Sequence, residues 1–329
     1  MSEQKKVVLS GVRPTGPQHL GNLIGALRNW QKLQDIYQCY YTIVDWHALS
    51  SEYMNSKPIK DNTLEVALDW LAVGLDPAKC VMFIQSKVME HAELHLILSM
   101  VTPLPWLERV PTYKEMQQEL QDKDLTTYGF LGYPVLQAAD IVIYKADFVP
   151  VGEDQAAHVE LTREIVRRFN RNFGPVFSEP QTLLTEVPRL AGTDGRKMSK
   201  SFGNSILIKD PPEIIREKVM PMVTDTRRMR RSDPGEPNDC PVFTLHRAFV
   251  PKEKQDEAAQ GCRTAGIGCR ECKAIMLEYL LRTLEPIQER RREYEKDPGR
   301  VWAILEEGNR KARRAAQATM AEVRAALGF

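Results

Sequence analysis

A short apolar run, Lys6-Val7-Val8-Leu9-Ser10, leads directly into a segment rich in glycine and proline, Gly11–Gly21, and then into a helical pattern from about Asn22 to Ile36. This succession constrains the chain more than any other feature. A buried strand that turns through a glycine loop into a helix is the opening unit of a doubly wound sheet, and the loop lies where such sheets bind nucleotides. Leu23, Leu27, Trp30 and Leu33 fall on one face of the helix. The alternation continues with a strand at Tyr40–Val44, a helix at Thr63–Val73 stopped by Gly74 and the Asp76-Pro77 turn, and a strand at Cys80–Gln85. Strands alternating with helices predict an α/β fold built on a Rossmann-like, doubly wound parallel sheet.

From Glu90 to Gly132 the rhythm breaks, with Pro103, Pro105, Pro111 and a polar run at Met116–Lys123, so an insertion is expected at about 90–132. The pattern resumes with a helix through Asp140, a strand near Asp147–Val151 and a helix at about Gln155–Asn170. After Ser201 it turns mostly helical: a helix opens at Pro211-Pro212, a basic-acidic face runs over Glu285–Lys296, and a helix covers Trp302–Leu327. The chain of 329 residues suits two domains, a nucleotide-binding one over 1–206 and a helical one over 207–329, meeting near Ile206–Pro212. A net charge of +1 excludes a global field for polyanions and confines any nucleic-acid surface to a local patch. The first residues lack the apolar region of a secretory signal, and no apolar run approaches the roughly 18 residues of a membrane span. A cytoplasmic protein is therefore expected, with no membrane and no DNA partner.

Two segments carry chemistry. The first, Arg13-Pro14-Thr15-Gly16-Pro17-Gln18-His19-Leu20-Gly21-Asn22, joins strand to helix. Glycines let backbone approach phosphates, the helix N-terminus offers unpaired N–H groups, and His19 and Asn22 can donate to phosphate oxygens. The plain alternative is a glycine turn with a capping histidine. The second, Lys197-Met198-Ser199-Lys200-Ser201, follows the flexible Gly192-Thr193-Asp194-Gly195. Two lysines around small hydroxyl residues suit a clamp on a triphosphate whose charge grows as pyrophosphate leaves. The plain alternative is a solvated basic loop. No Gly-x-x-x-x-Gly-Lys-[Ser/Thr] string occurs, which excludes a P-loop.

Taken together, Pro-Thr-Gly-x-x-His-Leu-Gly-Asn and Lys-Met-Ser-Lys-Ser resemble the two signatures of the class I aminoacyl-tRNA synthetases. Asn22 at the end of the first is similar to the tryptophanyl members. So are Gly25-Ala26-Leu27-Arg28, Ile43-Val44-Asp45-Trp46-His47-Ala48, Ala72-Val73-Gly74-Leu75-Asp76-Pro77, Phe83-Ile84-Gln85-Ser86, Tyr133–Asp140 and Val149–Gln155, which look like the bacterial type. The likeness runs from about Val7 to the C-terminal helices. It implies activation of L-tryptophan with Mg-ATP and transfer to tRNA(Trp), usually by a homodimer with the insertion at its interface. It also implies roles. His19, Asn22, Lys197 and Lys200 would be catalytic. Arg13, Pro14, Thr15, Gly21, Gly152, Glu153, Asp154, Leu190, Met198, Ser199 and Ser201 would bind ATP together with them. Leu9, Tyr133, Gln137, Asp140 and Gln155 would bind tryptophan, with Asp140 accepting the indole N–H. An indole N–H is only a donor, so a carboxylate between the small Ala138-Ala139 pair and apolar neighbours suits it. Gln137 departs from the pattern, since many tryptophanyl members carry Met there and tyrosyl members carry Gln. Lys114 is either a phosphate-facing lysine or a surface one. The alternatives are a tyrosyl-type specificity or an iron–sulfur regulatory paralogue that binds RNA.

Cys240, Cys262, Cys269 and Cys272 cluster late in the chain, and Gly261, Gly266 and Gly268 loosen the ligand loop. In a reducing compartment four such thiols suggest a metal site, and their spacing fits zinc or a [4Fe–4S] cluster. A subset of bacterial tryptophanyl enzymes resembles this pattern and carries [4Fe–4S], which favours iron over zinc. The neighbouring Arg227-Arg228-Met229-Arg230-Arg231 reads as either a solvated face or a contact to tRNA phosphates.

Overall fold

The computed structural model describes residues 5–110, 125–152, 155–184 and 190–329. Among them, strands β1 (Val7–Val12), β2 (Gln38–Ile43), β3 (Cys80–Ile84), β4 (Phe148–Val151) and β5 (Gln181–Leu184) form one sheet in the order β3-β2-β1-β4-β5. Every pairing is parallel, with Val7 opposite Gln38 and Val12 opposite Ile43. The doubly wound sheet expected from the alternation is present. β1 runs two residues past Ser10, into Gly11 and Val12. β5 had no counterpart in the sequence reading, because four residues offer too short a pattern.

The helix after β1 begins at Leu20 and passes through a π-helical turn at Leu23–Leu27 into α1 (Arg28–Ile36). Leu20, Leu23, Leu27 and Trp30 are buried along it. Trp30 stacks on Tyr41 at 4.5 Å between ring centroids and meets the edge of Trp70 at 5.4 Å. The further helices that position the site are α2 (Asp45–Glu52), α3 (Pro58–Val73), α4 (Glu90–Ser99), α5 (Tyr133–Val142) and α6 (Ala156–Phe173). Gly74 ends α3 in the left-handed conformation, as a C-terminal glycine does.

Two long helices follow, α7 (Cys269–Glu295) and α8 (Pro298–Leu327). The Glu285–Lys296 face is the last part of α7, which continues through Pro286. α7 packs on α3, and α8 packs along β3. A Cβ on Gly308 would lie 1.7 Å from the Met82 carbonyl oxygen, so only glycine lets α8 approach the strand this closely. Next to it, the Asn309 side chain accepts the Ile84 N–H at 2.9 Å, covering an edge that would otherwise stay open for pairing. One buried cluster joins Leu20, Trp30 and Tyr41 to Ile215, Leu277, Leu280 and Leu284, so it lies on both sides of residue 206. A second joins Leu9, Tyr40 and Phe83 to Ala138, Ala139, Tyr144 and Ala316.

Candidate active site

The sheet changes winding direction between β1 and β4, and the loop after β1 crosses the C-terminal edge there. Gly16 sits at φ +118°, which favours glycine. His19 caps the following helix. Its Nδ1 accepts the Asn22 N–H at 3.3 Å, and Asn22 Oδ1 accepts the His19 N–H at 3.0 Å. The capping expected as the plain alternative is thus real, and it has a chemical consequence. With Nδ1 accepting, the proton resides on Nε2 and that edge of the ring is a donor. Burial, then the Lys200 and Lys197 charges, push His19 down to about 4, so the ring is neutral at physiological pH. Gly21 lies under the ring, where a Cβ would stand 2.8 Å from Cε1. On the same loop Arg13 and Thr15 are exposed, and Pro14 is buried.

The second signature forms a compact turn. Ala191 pairs with Lys197, and the Met198 N–H donates to the Leu190 carbonyl at 3.0 Å. Leu190 and Met198 belong to the larger core, which anchors both ends of the turn. Asn204, which is buried, organises the interior. Its amide donates to Asp194 at 2.7 Å and to the Lys197 carbonyl at 3.1 Å, and its oxygen accepts the Ser199 N–H at 2.8 Å. Lys197 and Ser201 are exposed. Lys200 Nζ donates to the Gly16 carbonyl at 2.9 Å across 184 positions of sequence, so the two signatures touch. Burial pushes Lys200 down to about 8, with Asp69 opposing and Arg13 assisting.

Behind this contact lies a group that the sequence reading missed. Asp69, on α3, is fully buried, and its Oδ2 accepts the Gln18 N–H at 2.7 Å. Its Oδ1 accepts from Arg291 of α7, whose guanidinium also reaches Glu65 Oε2 at 2.6 Å and Glu295 Oε1 at 2.8 Å. Burial raises the Asp69 carboxyl to about 6, and Arg291 and the Gln18 N–H pull against it.

Asp140 lies on the inward face of α5 and is 3 % exposed, which rules out a surface carboxylate. It accepts from His47 Nε2 at 2.9 Å, His91 Nδ1 at 2.6 Å and Gln85 Nε2 at 2.8 Å. His91 Nε2 is 2.7 Å from the Tyr144 hydroxyl, which donates to it. Burial disfavours the Asp140 charge, but the hydrogen bonds from His47 and His91 outweigh it, and the carboxyl lies well below its usual range. His47 and Gln85 belong to strings already singled out, but His91 had no marker in the sequence. Leu9 is buried in the same cluster as Ala138 and Ala139. Tyr133 shares a hydrogen bond of 2.8 Å with His158 Nε2. Gln137 is half-buried on α5, and Gln155 donates its backbone N–H to Gly152 at 3.0 Å. Glu153, Asp154 and Lys114 lie outside the described residues.

The four late cysteines line one small cavity together with Arg228, Asp225, Pro237 and Phe243. Arg228 is 9 % exposed, and its Nη1 lies 3.8 Å from Cys262 Sγ. Its Nη2 donates to the carbonyls of Arg231 and Ile267. His246 Nε2 is 3.1 Å from Cys272 Sγ. Burial, then the other three thiols, push the Cys272 thiol up to about 12. Four thiols on one cavity are the donor type that zinc or a [4Fe–4S] cluster takes. Among the described residues no three His, Cys, Asp or Glu side chains are grouped to hold a metal ion. The basic run divides: Arg228 faces the cavity, Arg227 pairs with Asp225 at 3.0 Å, and Arg230 and Arg231 are exposed.

A family model described as "tRNA synthetases class I (W and Y)" matches residues 1–285. A Thermotoga maritima protein named tryptophan–tRNA ligase is 52% identical, with 98% of this chain and 99% of the relative covered. A Deinococcus radiodurans protein of the same name is 44% identical, with 98% of each covered. Among solved structures, tryptophanyl-tRNA synthetase from Campylobacter jejuni complexed with ADP and tryptophan superposes with a TM-score of 0.87. It is 33% identical, with 98% of this chain and 100% of that one covered.

Proposed function

The chain belongs to the class I tRNA synthetases of the tryptophan and tyrosine group, and from that premise we propose that it activates L-tryptophan with Mg-ATP and transfers it to tRNA(Trp). The observation that carries this reading is the contact of the two signatures through Lys200 and Gly16. In the first step the tryptophan carboxylate attacks the α-phosphorus of ATP. The bond to the β-phosphate oxygen breaks, leaving tryptophanyl-adenylate and pyrophosphate. Mg2+ travels with the triphosphate as part of the substrate. In the second step a hydroxyl of the terminal tRNA ribose takes the acyl group, and AMP leaves.

Such chemistry asks for positioning and charge neutralisation, with no protein nucleophile. Lys197 and Lys200 neutralise the departing pyrophosphate, while His19 donates through Nε2–H and Asn22 through its amide. Arg13, Pro14, Thr15, Gly21, Leu190, Met198, Ser199 and Ser201 complete the ATP seat, with Gly152, Glu153 and Asp154 at the ribose. Asp140 accepts the indole N–H, Leu9 and Gln137 line the ring, and Tyr133 and Gln155 hold the amino group. A buried acceptor discriminates strongly, because a side chain without the donor leaves it unpaired. ATP–pyrophosphate exchange that depends on tryptophan tests the assignment. Equal exchange with tyrosine would reassign the substrate.

The charge on Lys200 sets a pH dependence. Its ammonium is lost as pH rises through about 8, whereas His19, at about 4, does not change charge between pH 6 and 9. The expected profile of kcat/KM for ATP is flat from about pH 6 to 7 and falls above about 8. Lys200→Arg keeps its charge and should remove the alkaline fall.

In this reading Cys240, Cys262, Cys269 and Cys272 would hold a [4Fe–4S] cluster. A zinc ion draws four thiolates to about 2.3 Å from one point. The reading of a cluster rests on the four thiols around one cavity, which would be its ligands. When bound, the cluster ties the ends of several C-terminal segments together and can exchange one electron. Anaerobically purified protein should contain about four irons per chain with broad visible absorption, and Cys269→Ser should lose both. About one zinc per chain instead would select the single-ion alternative.

The chain acts as a homodimer, for which the exposed Met89, Leu96, Met100 and Leu104 on and beside α4 offer an apolar surface. Among the described residues no helix is long and apolar enough to cross a membrane, and the cytoplasm is its proposed location.

A further inference from the structure

We infer that Arg291 and Gln288 of α7 are positioning residues for the ATP site, acting through the Gln18 peptide without touching substrate. The inference rests on the ATP-binding assignment above. Gln18 precedes His19 and is fully buried, so its peptide cannot move independently of its partners. The N–H is held by Asp69 Oδ2 at 2.7 Å, and the carbonyl is held by the Ile208 N–H at 2.9 Å. Each partner is in turn gripped from α7. Arg291 bonds the second oxygen of Asp69, and Gln288 Nε2 donates to the Ile208 carbonyl at 2.9 Å and the Asp210 carbonyl at 2.8 Å.

Positions 288 and 291 are three apart on one helix and so share a face. That face therefore clamps the signature loop from both sides. The loop in turn seats two proposed phosphate contacts: His19 follows Gln18 directly, and Lys200 rests on the Gly16 carbonyl two residues before it. The other contacts of Arg291, Glu65 and Glu295, hold the guanidinium in place, and Lys209 braces Glu65 at 3.0 Å. Donors to a reacting phosphate must stay within a fraction of an ångström, and a displacement of about 1 Å costs roughly 100-fold in rate.

The test compares Arg291→Gln, Arg291→Lys and Gln288→Met with the unaltered protein in two assays. One is ATP affinity by titration calorimetry, and the other is ATP–pyrophosphate exchange with tryptophan and ATP varied separately. Arg291→Gln is expected to weaken ATP binding about 10-fold and to lower kcat/KM for ATP by about 10- to 100-fold. KM for tryptophan should stay within about 2-fold. Arg291→Lys, still charged, should recover most of the loss, and Gln288→Met should show the same ATP-selective pattern at about 3- to 10-fold.

Unchanged ATP parameters in a folded Arg291→Gln protein would overturn the inference. So would a loss shared equally between ATP and tryptophan, which marks general damage to the fold. If Arg291→Gln does not fold, Gln288→Met decides, and unaltered ATP affinity in that variant overturns the inference. Absence of tryptophan-dependent exchange in the unaltered protein would count against the proposed activity, while the calorimetric comparison would still decide the role of α7.

Discussion

Replacing Asp140 with alanine is expected to abolish tryptophan-dependent exchange and to destabilise the protein by about 3–5 kcal/mol, the usual cost of removing one partner from a buried ionic group. The stability effect follows from what the carboxylate leaves behind. His47, Gln85 and His91 all donate to it from within the protein, and none faces open solvent there. Asp140→Asn separates the two effects, because it keeps the shape and one acceptor while losing the charge. It is expected to fold and to lower kcat/KM for tryptophan by about 100-fold or more. Denaturant unfolding and exchange kinetics on both variants check this. An alanine variant with normal KM for tryptophan would show that the carboxylate organises the histidines and does not read the indole.

Lys200→Ala should have the largest effect on the chemical step without unfolding the chain. Removing a preorganised donor from developing oxyanion charge typically costs 100- to 1,000-fold in kcat, about 2.7–4 kcal/mol. The side chain is half-buried and its protein contact is a carbonyl on a loop, so little packing is lost. The loss should therefore appear in kcat for adenylate formation, with KM for tryptophan unchanged. Single-turnover formation of adenylate measures it. A variant that loses only ATP affinity, with kcat intact, would place Lys200 in ground-state binding instead.

What the sequence made legible was local. The strand at Lys6–Ser10, its glycine loop and the helix behind it announce the sheet, because each depends on neighbours a few positions away. The two signatures were recognisable as strings, and the cysteines as a cluster. What escaped was what long-range contact creates. His91 meets Asp140 across 49 positions, and Arg291 meets Asp69 across 222. A histidine on an apolar helix and an arginine in a charged run carry no mark of such a partner. The π-helical turn at Leu23–Leu27 escaped for a related reason, since its apolar spacing also satisfies an α-helix. α7 continues through Pro286, where Leu284 and Ile287 on either side pack into the core.

The seam between α8 and β3 has a consequence for synthesis. The sheet that carries the first signature has all its described strands by Leu184, yet its outer edge is covered by residues near Asn309. On the ribosome, a nascent chain that has already made β1 to β5 still presents the β3 edge to its surroundings. Strand edges left open in this way invite pairing with other chains. The sheet therefore depends on late-made residues for its solubility as well as its shape. Slow translation beyond Leu184 prolongs the interval in which aggregation competes with folding.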